Sequence, residues 1–208
     1  MSVEFQGDLF DLASAPVLGR LRGSVARTEL ADGAWVDVRR SWVTGAGEVL
    51  RALVRDVPWR AEQRTMYDRV VDVPRLVHTY AADDALPHRV LGSARQALTN
   101  HYLPELGDSF ATAGCCFYRD GRDSVAWHGD RIGRGATDDT MVAILSFGDP
   151  RRLLLRPEGG GASIAFTMGH GDLLVMGGSC QRTWQHSVPK ARSAGPRISV
   201  QFRPAGVF

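Results

Sequence analysis

Trp127-His128-Gly129-Asp130 is the stretch that decides how the rest of the chain is read. On an extended segment side chains alternate from face to face, so His128 and Asp130 point the same way. An imidazole nitrogen and a carboxylate oxygen converging from one face offer two ligands to a divalent metal. His186, brought in from a later strand, supplies a third. Two histidines and one carboxylate leave coordination positions open, which is the pattern of non-haem Fe(II) oxygenases. His-x-Asp alone also fits a plain hydrogen-bonded pair, so the tail of the chain carries the decision.

That tail reads Pro196-Arg197-Ile198-Ser199-Val200-Gln201-Phe202-Arg203. Arg197 and Arg203 fall at even spacing, and an extended segment sets both on one face. Two guanidiniums beside a metal are costly unless an anion lies between them. A dicarboxylate fits, because arginine presents a rigid fork that can bond a carboxylate bidentately. His128-x-Asp130, then His186, then Arg197 and Arg203, in that order, closely resembles the AlkB family of Fe(II)/2-oxoglutarate-dependent dioxygenases. Tyr118, the run Gly171-Asp172-Leu173-Leu174-Val175-Met176-Gly177-Gly178, and Trp184-Gln185-His186 also look like that family. The resemblance covers roughly residues 55–205.

The resemblance implies that His128, Asp130 and His186 hold Fe(II) and form the catalytic centre. It implies that Tyr118 and Arg197 hold the far C5 carboxylate of 2-oxoglutarate. Arg203 would stand nearer the iron, toward the C1 carboxylate and Asp130, and Ser199 within reach of the cosubstrate. With O2 as the third reactant, 2-oxoglutarate is decarboxylated to succinate and CO2 while a nearby C–H bond is oxidised. If that carbon is a methyl on a base nitrogen, the hydroxymethyl product falls apart to formaldehyde and the repaired base. The expected activity is oxidative dealkylation of DNA bases of the 1-methyladenine and 3-methylcytosine type. Extruding a base is cheapest from single strands, so a single-strand preference is expected. A monomer is the family default.

Two positions depart from the family pattern. Many relatives carry an asparagine where this chain has Cys116, and a thiol is a weak hydrogen-bond donor. Several nucleic-acid demethylases carry an acidic residue, reading the base's exocyclic amine, where this chain has Ile132. Ile132 keeps other substrates open: RNA, a protein side chain or a small metabolite. A reading of another class is a cupin-like jelly-roll module that holds metal without turnover.

At 208 residues the chain can bury a full core as one domain, and no linker divides it. No stretch approaches the length of a membrane-spanning helix, and the N-terminus lacks the pattern of a signal peptide, so the expected compartment is the cytoplasm. Cys115, Cys116 and Cys180 read as free thiols. The formal net charge of +2 excludes an argument for nucleic-acid binding from bulk charge. Lys190 is the only lysine among the 25 Lys+Arg, a bias that GC-rich coding explains more simply than function does. The local cluster Arg119, Arg122, Arg131 and Arg134 is better placed to meet phosphates.

Along the chain, residues 1–57 read as an N-terminal extension and helix. Within it, residues 1–33 read as an irregular lead-in with a short amphipathic anchor at Phe5, Leu9, Phe10 and Leu12, followed by a strand at Trp35–Val38 and a helix at Gly47–Val57. Residues 58–112 open with short, Pro-broken segments that the resemblance identifies as a nucleotide lid, with Tyr67 and Tyr80 as candidates to stack on the base, followed by a buttress helix over Leu86–Tyr102. His88 and His101 fall there as surface or helix-end residues, and His170 as a turn residue. From residue 113 to 205 short strands follow at even spacing, separated by glycine and charged turns. The fold class is mainly β with flanking helices. The resemblance specifies a double-stranded β-helix, or jelly roll, whose strand ends carry the metal.

Overall fold

The computed structural model describes residues 14–66 and 69–207. In chain order come strands β1 (Val17–Leu18), β2 (Ala26–Glu29), β3 (Ala34–Arg39) and β4 (Val43–Thr44), then helix α1 (Ala46–Asp56). A long hairpin, β5 (Arg60–Met66) and β6 (Arg69–Tyr80), leads to helix α2 (Arg89–Leu106). Strands β7 (Phe110–Tyr118), β8 (Val125–His128), β9 (Val142–Gly148), β10 (Arg151–Pro157), β11 (Ile164–Met168) and β12 (Leu173–Gly178) follow. A short helix α3 (Cys180–Thr183), β13 (Trp184–Val188) and β14 (Arg197–Pro204) complete the chain.

The strands form an eight-stranded sheet in the order β2-β3-β12-β9-β14-β7-β6-β5 and a four-stranded sheet in the order β11-β10-β13-β8. Strand alternation divides the apolar residues between two cores. On the outer face of the large sheet, Leu145, Phe147, Val175, Ile198, Val200 and Phe202 pack against Val49 and Leu53 of α1 and Leu91 and Leu98 of α2. On its inner face, Val142, Ile144, Leu174 and Met176 meet Leu153, Leu155 and Trp184 of the small sheet. Two antiparallel sheets facing over one core, with helices behind the larger, make the expected jelly roll.

β14 departs from this pattern. Its outward residues are apolar, but its inward ones are Arg197, Ser199, Gln201 and Arg203. A polar row inside a sandwich is expensive unless it holds something. That row sets the site.

Three expectations are corrected. The lid does not break into short segments: β5 and β6 pair as one hairpin, and β6 continues onto β7. Pro74 is tolerated because it sits where the β5–β6 register shifts, and beyond the part of β6 that pairs with β7. The lead-in holds strand β2, whose four residues are all exposed at the edge of the sheet, which leaves no apolar period to read. Tyr80 is buried in the outer core and faces away from the site, so it cannot stack on a base. Tyr67 and the Phe5–Leu12 anchor lie outside the described residues. Helix α2 is capped by His88, whose Nδ1 accepts from the Val90 N–H, and all three cysteines are free. Among the described residues, no helix is long and apolar enough to cross a membrane.

Candidate metal and cosubstrate site

β8 and β13 are hydrogen-bonded neighbours, and their register sets His128 directly opposite His186. The two imidazoles lie with ring centroids 4.2 Å apart. Asp130 follows just past the end of β8, in a turn closed by the Arg131 N–H on the Gly129 carbonyl, not on a strand as expected. Gly129 allows that turn, since a Cβ there would lie 2.6 Å from the Gln181 carbonyl oxygen. One ligand atom from each of His128, Asp130 and His186 falls within 4.8 Å of the others. That spacing suits a single divalent ion.

The surroundings prepare these groups to ligate. Nδ1 of His128 lies 2.9 Å from the Ala126 carbonyl oxygen, which fixes its N–H there and leaves Nε2 facing Asp130, 3.8 Å away. Burial pushes the His186 imidazole down to about 3, helped by His128, and burial also lowers His128. Both rings are therefore neutral at neutral pH, as metal ligation requires. Burial alone would raise the Asp130 carboxyl, but Arg203 and His186 outweigh it and hold the group at about 2. Arg203 donates from Nε to Asp130 Oδ2 at 2.7 Å, and the Asp130 N–H donates to Oε1 of buried Gln181 at 3.1 Å.

The other end of the polar row carries a buried cation. Arg197 is 2% exposed, its Nε donates to Ser146 Oγ at 3.0 Å, and its Nη1 is buried without a partner. No carboxylate among the described residues pairs with it. Tyr118 lies opposite Arg197 across the β7–β14 ladder, and the guanidinium stands over its ring at 5.1 Å. Burial raises the Tyr118 phenol to about 12, so it is a donor and not an anion. An unspent buried guanidinium next to a phenol fits one carboxylate end of 2-oxoglutarate. The triad, at the other end of the row, fits Fe(II) and the chelating end.

Gln201, which motif reading passed over, fills the gap left by Cys116. Cys116 sits opposite Ser199 on β7, and its thiol lies 3.9 Å from Gln201 Oε1. Gln201 donates from Nε2 to Ser199, so one carboxamide ties the thiol and hydroxyl positions together. Its place in the even-spaced polar row of β14 was the available signal. Gln181 and Arg75 carried no such signal.

The site opens into a cavity of about 820 Å³ bounded by Arg75, Val77 and Thr79 of β6, Trp127, Ile132 and the triad's His128 and Asp130. Ile132 is 71% exposed at its mouth. Trp127 is steadied by Arg156, whose guanidinium lies 4.2 Å over its ring. Arg75 has a buried Nε with no partner. The arginines read as a phosphate cluster are otherwise engaged: Arg119 with Asp123, Arg122 with Asp120, Arg131 with Glu158 and Arg134 with Asp108.

Comparison with known proteins agrees with this geometry. Residues 44–203 match the 2OG-Fe(II) oxygenase superfamily. The human protein named alpha-ketoglutarate-dependent dioxygenase alkB homolog 3 is 32% identical over 199 residues, covering 86% of this chain and 66% of that protein. Its Bos taurus counterpart is 34% identical over 178 residues, covering 76% of this chain and 61% of the relative. An Arabidopsis thaliana protein named DNA oxidative demethylase ALKBH2 is 35% identical over 112 residues, covering 41% of this chain and 35% of its own length. This chain thus spans somewhat less than two thirds of the mammalian relatives it matches. Among solved structures, that of OsALKBH1 superposes with a TM-score of 0.59 at 15% identity, covering 85% of this chain and 100% of the other. A Burkholderia pseudomallei oxidoreductase of the 2OG-Fe(II) oxygenase family gives 0.52 at 16%, covering 75% of this chain and 76% of the other. The triad, the buried arginine and the matched residues together place this chain in the AlkB family of the 2OG-Fe(II) oxygenase superfamily.

Proposed function

We propose that the protein is an Fe(II)/2-oxoglutarate-dependent dioxygenase that removes alkyl groups from bases in DNA, as a monomer and with a preference for single strands. The observation that carries the reading is the row on β14, where Arg203 holds Asp130 at one end and the buried Arg197 guanidinium keeps an Nη1 without a partner at the other. A metal-binding module without turnover has no use for that second cation. The names of the mammalian and plant relatives, dioxygenase and DNA oxidative demethylase, support the same choice.

In this reading His128, Asp130 and His186 hold the iron. Arg197 and Tyr118 bind the C5 carboxylate, the guanidinium as a fork and the phenol as a neutral donor. Ser199 and Gln201 line the span between the two ends. Arg203 keeps Asp130 ionised and aimed, and Gln181 pins its backbone. Iron, 2-oxoglutarate and O2 together supply the oxidation, with succinate, CO2 and formaldehyde as products. The cavity beside Trp127 and Arg75 receives the base, and its walls exclude water from the reacting methyl.

Ile132 favours a second reading, the same chemistry on RNA or on a lesion without an exocyclic amine, since no carboxylate stands at that position of the mouth. One panel decides between them. Single-stranded and duplex DNA and RNA oligonucleotides carrying 1-methyladenine, 3-methylcytosine or 3-methylthymine are incubated with Fe(II), 2-oxoglutarate, ascorbate and oxygen. Methyl loss is followed by mass spectrometry. Fastest loss from single-stranded DNA is the expected outcome. Loss from RNA alone moves the substrate, and succinate without any methyl loss moves it away from nucleic acid.

A further inference from the structure

Arg151 is a second buried cation at the cosubstrate end of the site, outside the residues assigned to iron and 2-oxoglutarate. It is the first residue of β10 and only 3% exposed. Its Nη2 donates to the carbonyl oxygens of Asp123 at 2.8 Å and Pro189 at 2.7 Å, and its Nη1 to that of Asp120 at 3.2 Å. None of the three acceptors carries charge. The adjacent Asp123 carboxylate is already spent on the side chain and backbone of Arg119. Burial lowers the Arg151 guanidinium below its ordinary value, as it does that of Arg197, where Arg151 adds a repulsion of its own.

Both guanidiniums stand over one ring. The Arg151 Cζ lies 5.5 Å from the Tyr118 centroid, and the Arg197 Cζ lies 5.1 Å from it. A cation over an aromatic face draws electron density from it, which makes a phenol O–H a better donor. Arg151 also ties the turn that follows Tyr118 to Pro189, on the segment leaving β13, the strand of His186. Two buried like charges with no carboxylate between them are poorly compensated by the chain itself.

We propose that Arg151 is a positioning residue for the far carboxylate of 2-oxoglutarate, bracing the Tyr118 ring and strengthening its hydroxyl as a donor, so that the site selects a ligand with a carboxylate beyond its chelating end. It does not touch the ligand. Arg197 and Tyr118 do, and Arg151 acts through Tyr118. The proposal rests on their assignment to the C5 carboxylate.

The test uses protein loaded with Mn(II), which binds ligand without turnover, and two probes titrated calorimetrically. N-oxalylglycine carries a far carboxylate beyond its chelating end, whereas oxalate has both its carboxylates in the chelating end and lacks the far one. Arg151→Gln keeps a donor for the carbonyls and loses the charge. Arg151→Lys keeps the charge. The expected result is a loss of about ten-fold in N-oxalylglycine affinity for Arg151→Gln, with oxalate within about two-fold, and recovery to within about three-fold for Arg151→Lys.

Equal losses for both probes, or no loss for either, would overturn the proposal and leave Arg151 a clamp on three carbonyls. Should Arg151→Gln fail to fold, Arg151→Lys decides, because a clamp of fixed shape predicts equal weakening of both probes by lysine. Failure of the parent protein to prefer N-oxalylglycine over oxalate would instead sink the underlying assignment of Arg197 and Tyr118.

Discussion

Arg203 reaches from the last turn of the polar row on β14 to Asp130, its Nε 2.7 Å from Oδ2, across 73 positions of sequence. Both side chains are largely buried, at 18% and 6% exposure. Removing one partner of such a pair strands the other charge, at a cost of about 3–5 kcal/mol. Arg203→Met should therefore lower the stability of the apoprotein by about 3 kcal/mol in urea denaturation. Mn(II) affinity should fall about 10- to 100-fold, because a metal ligand loses the partner that orients it. Unchanged metal affinity in a folded variant would show that Asp130 is aimed by its backbone alone.

The apoprotein should lose stability on acidification well before its carboxylates titrate. His186 ordinarily titrates at 6.5 and is held at about 3 when folded, so between those values the unfolded chain binds a proton that the folded chain refuses. Stability is complete above pH 6.5 and falls as pH drops, by up to about 1.4 kcal/mol per pH unit. Asp130, held at about 2, extends the loss below pH 3.8. Thermal melts from pH 7.5 to 5 check this, and His186→Asn should flatten the curve. A parent protein with the same melting temperature across that range would contradict the burial of a neutral His186.

Salt should weaken oligonucleotide binding only gently. Arg119, Arg122, Arg131 and Arg134 each have a carboxylate in reach, so this cluster has little free charge to offer phosphates. The slope of log affinity against log salt should be no steeper than about −2, corresponding to roughly two phosphate contacts. Arg122→Ala should change affinity by less than about two-fold. A slope near −4 that drops in Arg122→Ala would restore the arginine cluster as the binding patch.

Gly114 leaves room for the cosubstrate. A Cβ there would lie 3.0 Å from Arg203 Nη1 and 3.1 Å from Gln201 Oε1, and both side chains would have to yield toward the row. Gly114→Ala should raise the KM for 2-oxoglutarate about ten-fold, equivalent to ~1.4 kcal/mol of overpacking, with kcat less affected. An unaltered KM would mean that Arg203 and Gln201 move aside without cost.

The sequence made the strands of the core legible because each faces an apolar layer on one side or both. The helix expected at Gly47–Val57 emerges as α1, one residue earlier at each end, and short strands run through residues 113–205 as expected. The cluster of His128, Asp130 and His186 was legible because two of its members are two residues apart and the third carries a family motif. What sequence hid was geometry that crosses elements. Tyr80 reads as an exposed lid aromatic but packs in the outer core, since nothing local tells which face of β6 is covered. The arginine cluster reads as a basic patch, yet its partners Asp108 and Glu158 lie on distant elements. Gln181 touches Asp130 only because α3 folds beneath the metal turn.

The central claim is that His128, Asp130 and His186 hold a working iron. Its most direct test compares the parent and Asp130→Ala with Fe(II), 2-oxoglutarate, oxygen and a single-stranded oligonucleotide bearing 3-methylcytosine, measuring succinate and formaldehyde together. The parent should release both in equal amounts, and Asp130→Ala neither. Succinate formed at the parent rate by Asp130→Ala would contradict the triad.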